Sequence, residues 1–256
     1  MLLLLIRLIR FEKSFMSAFS VFLPAFQKTK DINLSLAYSI PIFTIVASGF
    51  IINDVNDIER DYINNHDRVL PKKLITTEFA ITFYYFLLLT TLVMIKFFIP
   101  LGYVYLFMLY LVLIINYNYL VNSFPYLKIF YMAIVTVIHL SIIFLLVPLN
   151  LFFSGCIILN ILSQEIILDL RDLKGDGNTL PKILGRVITV KLVALLQLLQ
   201  VLLLISYGEF NIMHWCLISL TIITQILLYL FWKQNKNNLI IGTLKAQTIM
   251  MFALII

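Results

Sequence analysis

SLAYSIPIFTIVASGFII, residues 35–52, is followed without a break by NDVNDIERD, residues 53–61. The first stretch carries no charge over eighteen residues, about the length that crosses the hydrocarbon core of a bilayer as a helix. The second stretch is dense in acids. An apolar helix that ends in spaced carboxylates is the reading from which the rest of the chain follows.

Working outward, eight further apolar segments lie near 14–26, 77–98, 101–121, 129–148, 151–168, 187–207, 213–232 and 239–256. Of the 256 residues, 62% are hydrophobic and 12% charged, far from the roughly half apolar and quarter charged of soluble domains. Backbone groups in lipid must be satisfied internally, and segments of this length select helices over barrel strands. The expected fold is all-α: a polytopic membrane bundle of about nine transmembrane helices around a central cavity, one domain over residues 1–256. The last segment contains Lys245 and Gln247 and is expected to turn them toward the bundle or to tilt. The opening residues, MLLLLIRLIR, have too short an apolar run for a secretion signal. They read as an interfacial helix with Arg7 and Arg10 toward water. Cys156 and Cys216 read as small apolar core residues.

The formal charge of +6 does not point to nucleic acid, because the bases sit in short loops beside apolar runs. With nine spans and a cytoplasmic N-terminus, fifteen Lys and Arg fall on the cytoplasmic side. Only Lys28, Lys30 and Lys96 fall outside. This bias predicts a multi-pass protein of the cytoplasmic membrane with both acidic loops in the cytoplasm.

Those two loops are the longest polar ones. In the first, Asn53, Asp57 and Asp61 recur every four residues with Asp54 beside them. In the second, EIILDLRDLKGDGNTLP over 165–181, Asp169, Asp172 and Asp176 fall at i, i+3 and i+7. Each set shares one face if its helix continues out of the membrane. One such loop is as easily a solvated helix exit, but two with matching spacing on one side call for a common purpose. Clustered carboxylates repel, by about 4 kcal/mol for unit charges about 4 Å apart at a surface-like dielectric, and cations are the obvious offset. Oxygen-only ligands select a hard ion, and magnesium usually shares a phosphate. Two facing clusters would hold two or so magnesium ions around a diphosphate. Arg60, Arg68, Lys72, Lys128, Arg171 and Lys174 are placed to neutralise it. No glycine-rich phosphate loop competes, and His66, His139 and His214 are scattered. Gly175, Gly177 and Gly185 read as turn and helix-end residues.

These motifs resemble those of the UbiA-type membrane prenyltransferase superfamily. Its NDxxDxxxD pattern appears as Asn53, Asp54, Asp57 and Asp61, followed by Arg68-Val69-Leu70-Pro71. Its DxxDxxxD pattern appears as Asp169, Asp172 and Asp176, followed by Thr179-Leu180-Pro181 and Gly185. The resemblance implies that these seven residues ligate magnesium, with Asn53, Asp57, Asp61, Asp169, Asp172 and Asp176 catalytic. It also implies a polyprenyl diphosphate whose tail lies among the helices, and ionisation of its allylic carbon–oxygen bond. The cation then passes to a small-molecule or lipid acceptor, or, as in the superfamily's membrane terpene cyclases, is attacked by its own double bonds. The family's Tyr-x-x-x-Lys pair stands here as Phe124 and Lys128, so the lysine is kept and the hydroxyl is lost. Lys72-Lys73 replaces the usual Ser-Gly after the first motif.

Overall fold

The computed structural model describes residues 1–64, 66–146, 151–173, 178–206, 212–231 and 237–254. Among them every regular element is a helix: α1 Leu2–Leu8, α2 Phe11–Thr29, α3 Ile32–Asn56, α4 Ile58–Ile63, α5 Thr77–Phe98, α6 Leu101–Ser123, α7 Lys128–Phe144, α8 Leu151–Arg171, α9 Leu180–Ser206, α10 Ile212–Phe231 and α11 Asn237–Leu254. A single 3₁₀ turn, Pro125–Leu127, leads into α7. The nine expected segments coincide with α2, α3 and α5 to α11. Six stretches, α3, α5, α6, Pro125–Phe144, α8 and α9, are long and apolar enough by themselves to cross a membrane.

The chain packs as two compact units. One comprises Met1–Asn122 and Ile138–Pro148; the other comprises Ser123–Val137 and Leu149–Ile256. In the first unit, α3 packs against α2 and α5. Asp31 starts α3 by accepting from the Asn33 and Leu34 amides, and Thr76 starts α5 by accepting from that of Phe79. These caps satisfy amides that a helix start leaves open. Inside the unit, Thr91 donates to Thr44 across α5 and α3 at 2.7 Å. Outside, Phe11, Phe15, Phe19, Phe22 and Phe26 stack in sequence along α2. Four of the five are exposed, as a lipid-facing surface permits. A core of Leu8, Ala47, Ile51, Val69, Leu70, Ile75, Ala80, Tyr84 and Leu87 draws α1 and the loop after α4 onto α3 and α5. Three residues of that polar loop, Val69, Leu70 and Ile75, are therefore its anchors.

In the second unit, α8 packs on α9 and α11, and α10 on α11 and α9. Its core joins Ile129 with Ile166, Ile167, Leu170, Val193, Leu228, Ile240, Ile241 and Leu244. α9 is broken at Gly185, whose φ of 77° is left-handed and costs a glycine nothing. The end segment divides as its chemistry dictates: Gln247 is fully buried, whereas Lys245 is exposed and does not turn inward. Cys156 is buried as expected; Cys216 is exposed on α10 and is no core residue. A thiol is apolar enough to sit on a lipid-facing surface.

Candidate functional site

The first acidic motif begins on the last turn of α3. At Asp57 the helix pauses, with φ −102° and ψ 13°, and resumes as α4. Backbone bonds from Asp57 to Asn53 (2.9 Å) and from Asp61 to Asp57 (2.8 Å) carry the i to i−4 pattern across the pause. Asn53, Asp57 and Asp61 thus stay on successive turns.

The charges around them are sorted by burial. Asp54, 1% exposed, turns inward and accepts from the Arg10 guanidinium, with Arg68 Nη1 3.8 Å away. Arg10 also lies over the Phe50 ring at 4.6 Å. Asp61 is buried as well. Arg68 Nε lies 3.9 Å from its Oδ2, and His66 Nε2 lies 3.9 Å from its Oδ1. Burial raises the Asp61 carboxyl above the usual carboxylate range; Arg68 opposes that shift and the Asp54 charge adds to it. Asp57 pairs with Arg60 at 2.5 Å, and Arg60 donates to the Asn122 amide oxygen at 2.5 Å. Arg68 is held in place because Val69 and Leu70, next in the chain, are fixed in the core. Lys72 pairs with the exposed Asp67 at 2.5 Å, and Arg7 meets the same carboxylate at 3.0 Å.

The second motif lies at the end of α8. Asp169 is fully buried and accepts from Lys128 Nζ. The same ammonium stands 3.7 Å from Glu165, one turn earlier, so one cation serves two carboxylates. Ile129, the next residue, packs in the core and fixes the start of α7 beside α8. Arg171 Nε and Nη2 clamp the two oxygens of Asp172, each at 2.7 Å. Thr179, just before α9, is buried, and its hydroxyl has no hydrogen-bond partner among the described residues. Lys174, Gly175, Asp176 and Gly177 lie outside the described residues. Phe124 makes an edge contact with Tyr126 at 6.2 Å.

Among the described residues no three acids, histidines or cysteines converge as a ready-made metal cage. Each acidic residue of the motifs with a close ion pair instead meets an arginine or lysine. Two participants escaped the sequence reading. Arg10, expected toward water, is turned inward by the buried charge of Asp54, 44 residues later. Glu165 is an acid inside the apolar span of α8, and its need for a cation was the available signal for Lys128. His139 is a buried interior histidine whose Nε2 lies 2.8 Å from the Ser20 hydroxyl.

Long apolar helices, two of them ending in acid motifs paired with bases, define a multi-pass helical membrane protein. Residues 14–247 match the model of the UbiA prenyltransferase family, and the chain belongs to that family. Two solved structures share the fold. One, described as digeranylgeranylglyceryl phosphate synthase in membranes, is 23% identical, with 99% of this chain and 98% of that one covered and a TM-score of 0.63. The other, a UbiA homolog from Aeropyrum pernix K1 in its apo form, is 13% identical, with 92% and 96% covered and a TM-score of 0.71. No curated protein matches the chain.

Proposed function

We propose that the chain is a single catalytic domain that ionises a polyprenyl diphosphate with the help of magnesium and transfers the prenyl group to a separate acceptor in the membrane. The observation that carries this reading is the pairing of buried and half-buried acids with Arg60, Arg68, Lys128 and Arg171 at both motifs. Each of those bases carries several N–H donors, so it can meet a phosphate oxygen while still neighbouring its carboxylate. Asn53, Asp54, Asp57 and Asp61, with Asp169, Asp172 and Asp176, offer oxygen donors only, which suits a hard divalent ion. Among the described residues Asp61 Oδ2 is buried with no hydrogen-bond partner, Arg68 Nε standing 3.9 Å away, which leaves a lone pair for a hard cation. Magnesium commonly takes one or two carboxylates plus phosphate and water, so it needs no three-carboxylate cage.

In the reaction the allylic carbon–oxygen bond breaks and its electron pair leaves with the diphosphate. Magnesium, when bound, supplies Lewis-acid stabilisation of that leaving group. Arg60, Arg68, Lys72, Lys128, Arg171 and Lys174 take up its remaining charge. The acceptor's nucleophilic atom then bonds to the allylic carbon and its proton is released. Transfer is preferred to internal cyclisation because a structural relative covering nearly the whole chain is named as a synthase of a prenylated glyceryl phosphate.

The test is product analysis of purified protein with magnesium and prenyl diphosphates of several lengths, with and without acceptor alcohols and phenols. Slow diphosphate release alone, accelerated by an acceptor, is the expected result. A dominant cyclic terpene formed with no acceptor would replace transfer by cyclisation and leave the ionisation step intact. No release under any condition would remove the reading altogether.

A further inference from the structure

The interior of the second unit contains a chain of side-chain amides and hydroxyls that the prenyl-transfer reading does not use. Gln197 on α9, Gln200 one turn later, Gln247 on α11 and Thr224 on α10 are all fully buried. Gln197 Nε2 donates to Gln200 Oε1 at 3.2 Å, Gln200 Nε2 to Gln247 Oε1 at 2.9 Å, and Gln247 Nε2 to Thr224 Oγ1 at 2.7 Å. Thr224 is 3.0 Å from Thr243, which reaches the Ile240 carbonyl at 2.9 Å.

The direction of this chain is fixed by its neighbours. Asn160 Nδ2 donates to the Leu244 carbonyl at 2.9 Å, so Asn160 Oδ1 is the atom 3.4 Å from Gln197. Ser163 donates its hydroxyl hydrogen to the Leu159 carbonyl at 2.9 Å, so toward Gln197, 3.0 Å away, it can only accept. The two hydrogens of Gln197 Nε2 thus face three acceptors, Ser163 and Gln200 at 3.0 and 3.2 Å and Asn160 more weakly at 3.4 Å, and turning that amide over would set its oxygen against Ser163 and Asn160. With Gln197 fixed, Gln200 must offer oxygen to it and nitrogen to Gln247, and Gln247 repeats the pattern toward Thr224. Every amide dipole points the same way, and hydrogen bonds in series strengthen one another. The open end is Gln197 Oε1, a buried acceptor with no hydrogen-bond partner among the described residues.

We infer that Gln197 Oε1 is the recognition atom of an interior site that takes one hydroxyl group from a guest molecule. A carbonyl oxygen at the end of a polarised chain, inside a membrane-spanning unit, is a strong acceptor, and none of the described residues donates to it. Such atoms in folded proteins are matched by ordered water or a bound polar group. The neighbouring Ser163 and Asn160 lie six and nine residues before Asp169 on α8, about 9 and 14 Å from it along the helix axis. The hydroxyl is thus held well inside the apolar stretch, away from the acidic motif. Two sources share this chemistry: a water molecule and the hydroxyl of a lipid alcohol. The site does not depend on the prenyl-transfer reading and stands if that reading falls.

The test is a structure of the full chain in detergent, at a resolution that places single waters, from three preparations: untreated, soaked with 1-decanol, and soaked with decane. Density about 2.6–3.0 Å from Gln197 Oε1 is expected, the range of a hydroxyl donor to a carbonyl. A compact peak in all three preparations assigns the guest as water. Elongated density found only after 1-decanol assigns a lipid alcohol. A bare Gln197 Oε1 in all three overturns the inference, and so does density that survives unchanged in Gln197→Leu. Should that variant fail to fold, the three wild-type maps still decide.

Discussion

Asp54 and Asp169 are each almost wholly removed from solvent, and each meets its nearest cation from a distant part of the chain. Breaking such a pair leaves a charge in a medium that cannot solvate it, at about 3–5 kcal/mol. Lys128→Met should therefore destabilise the fold by that order in detergent-denaturation measurements. Asp169→Asn in the same chain should recover a good part of the loss, because the pair and not either residue is what the interior requires. Independent losses that simply add would show that Lys128 and Asp169 do not act as a pair. For the chemistry, Asp57→Ala and Asp172→Ala should each lower magnesium-dependent diphosphate release by at least about 100-fold, since losing a ligand should exceed the loss from removing a group that only supports one. Both acids are only half-buried, so monodispersity should be kept. Near-normal turnover of either variant at saturating magnesium would remove that residue from the site. At this scale the acids were legible in the sequence, because their spacing is local. Their partners were not: Arg10 and Lys128 stand 44 and 41 residues from the carboxylates they meet, and nothing periodic links them.

Element boundaries follow from local chemistry where a special residue marks them. Gly185 is such a mark, and the sequence reading took it as a helix-end glycine. The break between α1 and α2 is not marked: it falls on Arg10, held at φ 45° where a glycine would be expected. No local preference puts an arginine there; its pair with Asp54 does. Gly49 serves a close approach, since a Cβ there would stand 2.3 Å from Ile114 Cγ2 on α6. Gly49→Val should lower the melting temperature, with a cost of about 1–3 kcal/mol for overpacking. An unchanged melting temperature would mean that α3 and α6 separate freely. The small helix α1 is tied down by Arg7 on Asp67, whose carboxyl is held below its usual range by the hydrogen bond from Lys72 first and by Arg7 next. A lowered folded-state pKa means that the tie is present above the unfolded value, and is lost as pH falls through the folded one. At neutral pH and low salt, Asp67→Asn should thus lower the protection of α1 amides in hydrogen exchange slightly. The difference should vanish once wild-type Asp67 is protonated, and shrink in high salt. A difference that persists in acid would assign the tie to something other than that charge.

Across the whole molecule, the apolar segments located every long helix, because a bilayer imposes one length and one backbone solution on all of them. Orientation is a separate matter, carried by the fifteen bases assigned to one side and the three to the other. In a background lacking Cys156 and Cys216, Asn64→Cys and Asn178→Cys should resist an impermeant thiol reagent in intact cells and react after the membrane is opened. Labelling from outside would reverse the proposed topology. What the sequence could not show is how its segments are shared between the two units. The fifth long stretch, α7, is divided: Lys128 at its start closes on Asp169 in one unit, while His139, three turns on, meets Ser20 in the other. For a chain made from its N-terminus this sets a timetable. Ser20 must wait for a partner translated 119 residues later, and Arg7 and Arg10 must wait for Asp67 and Asp54. Residues early in the chain are thus secured only after much later ones have been made. A nascent chain halted after α6 would enter the membrane with its first unit still unfinished.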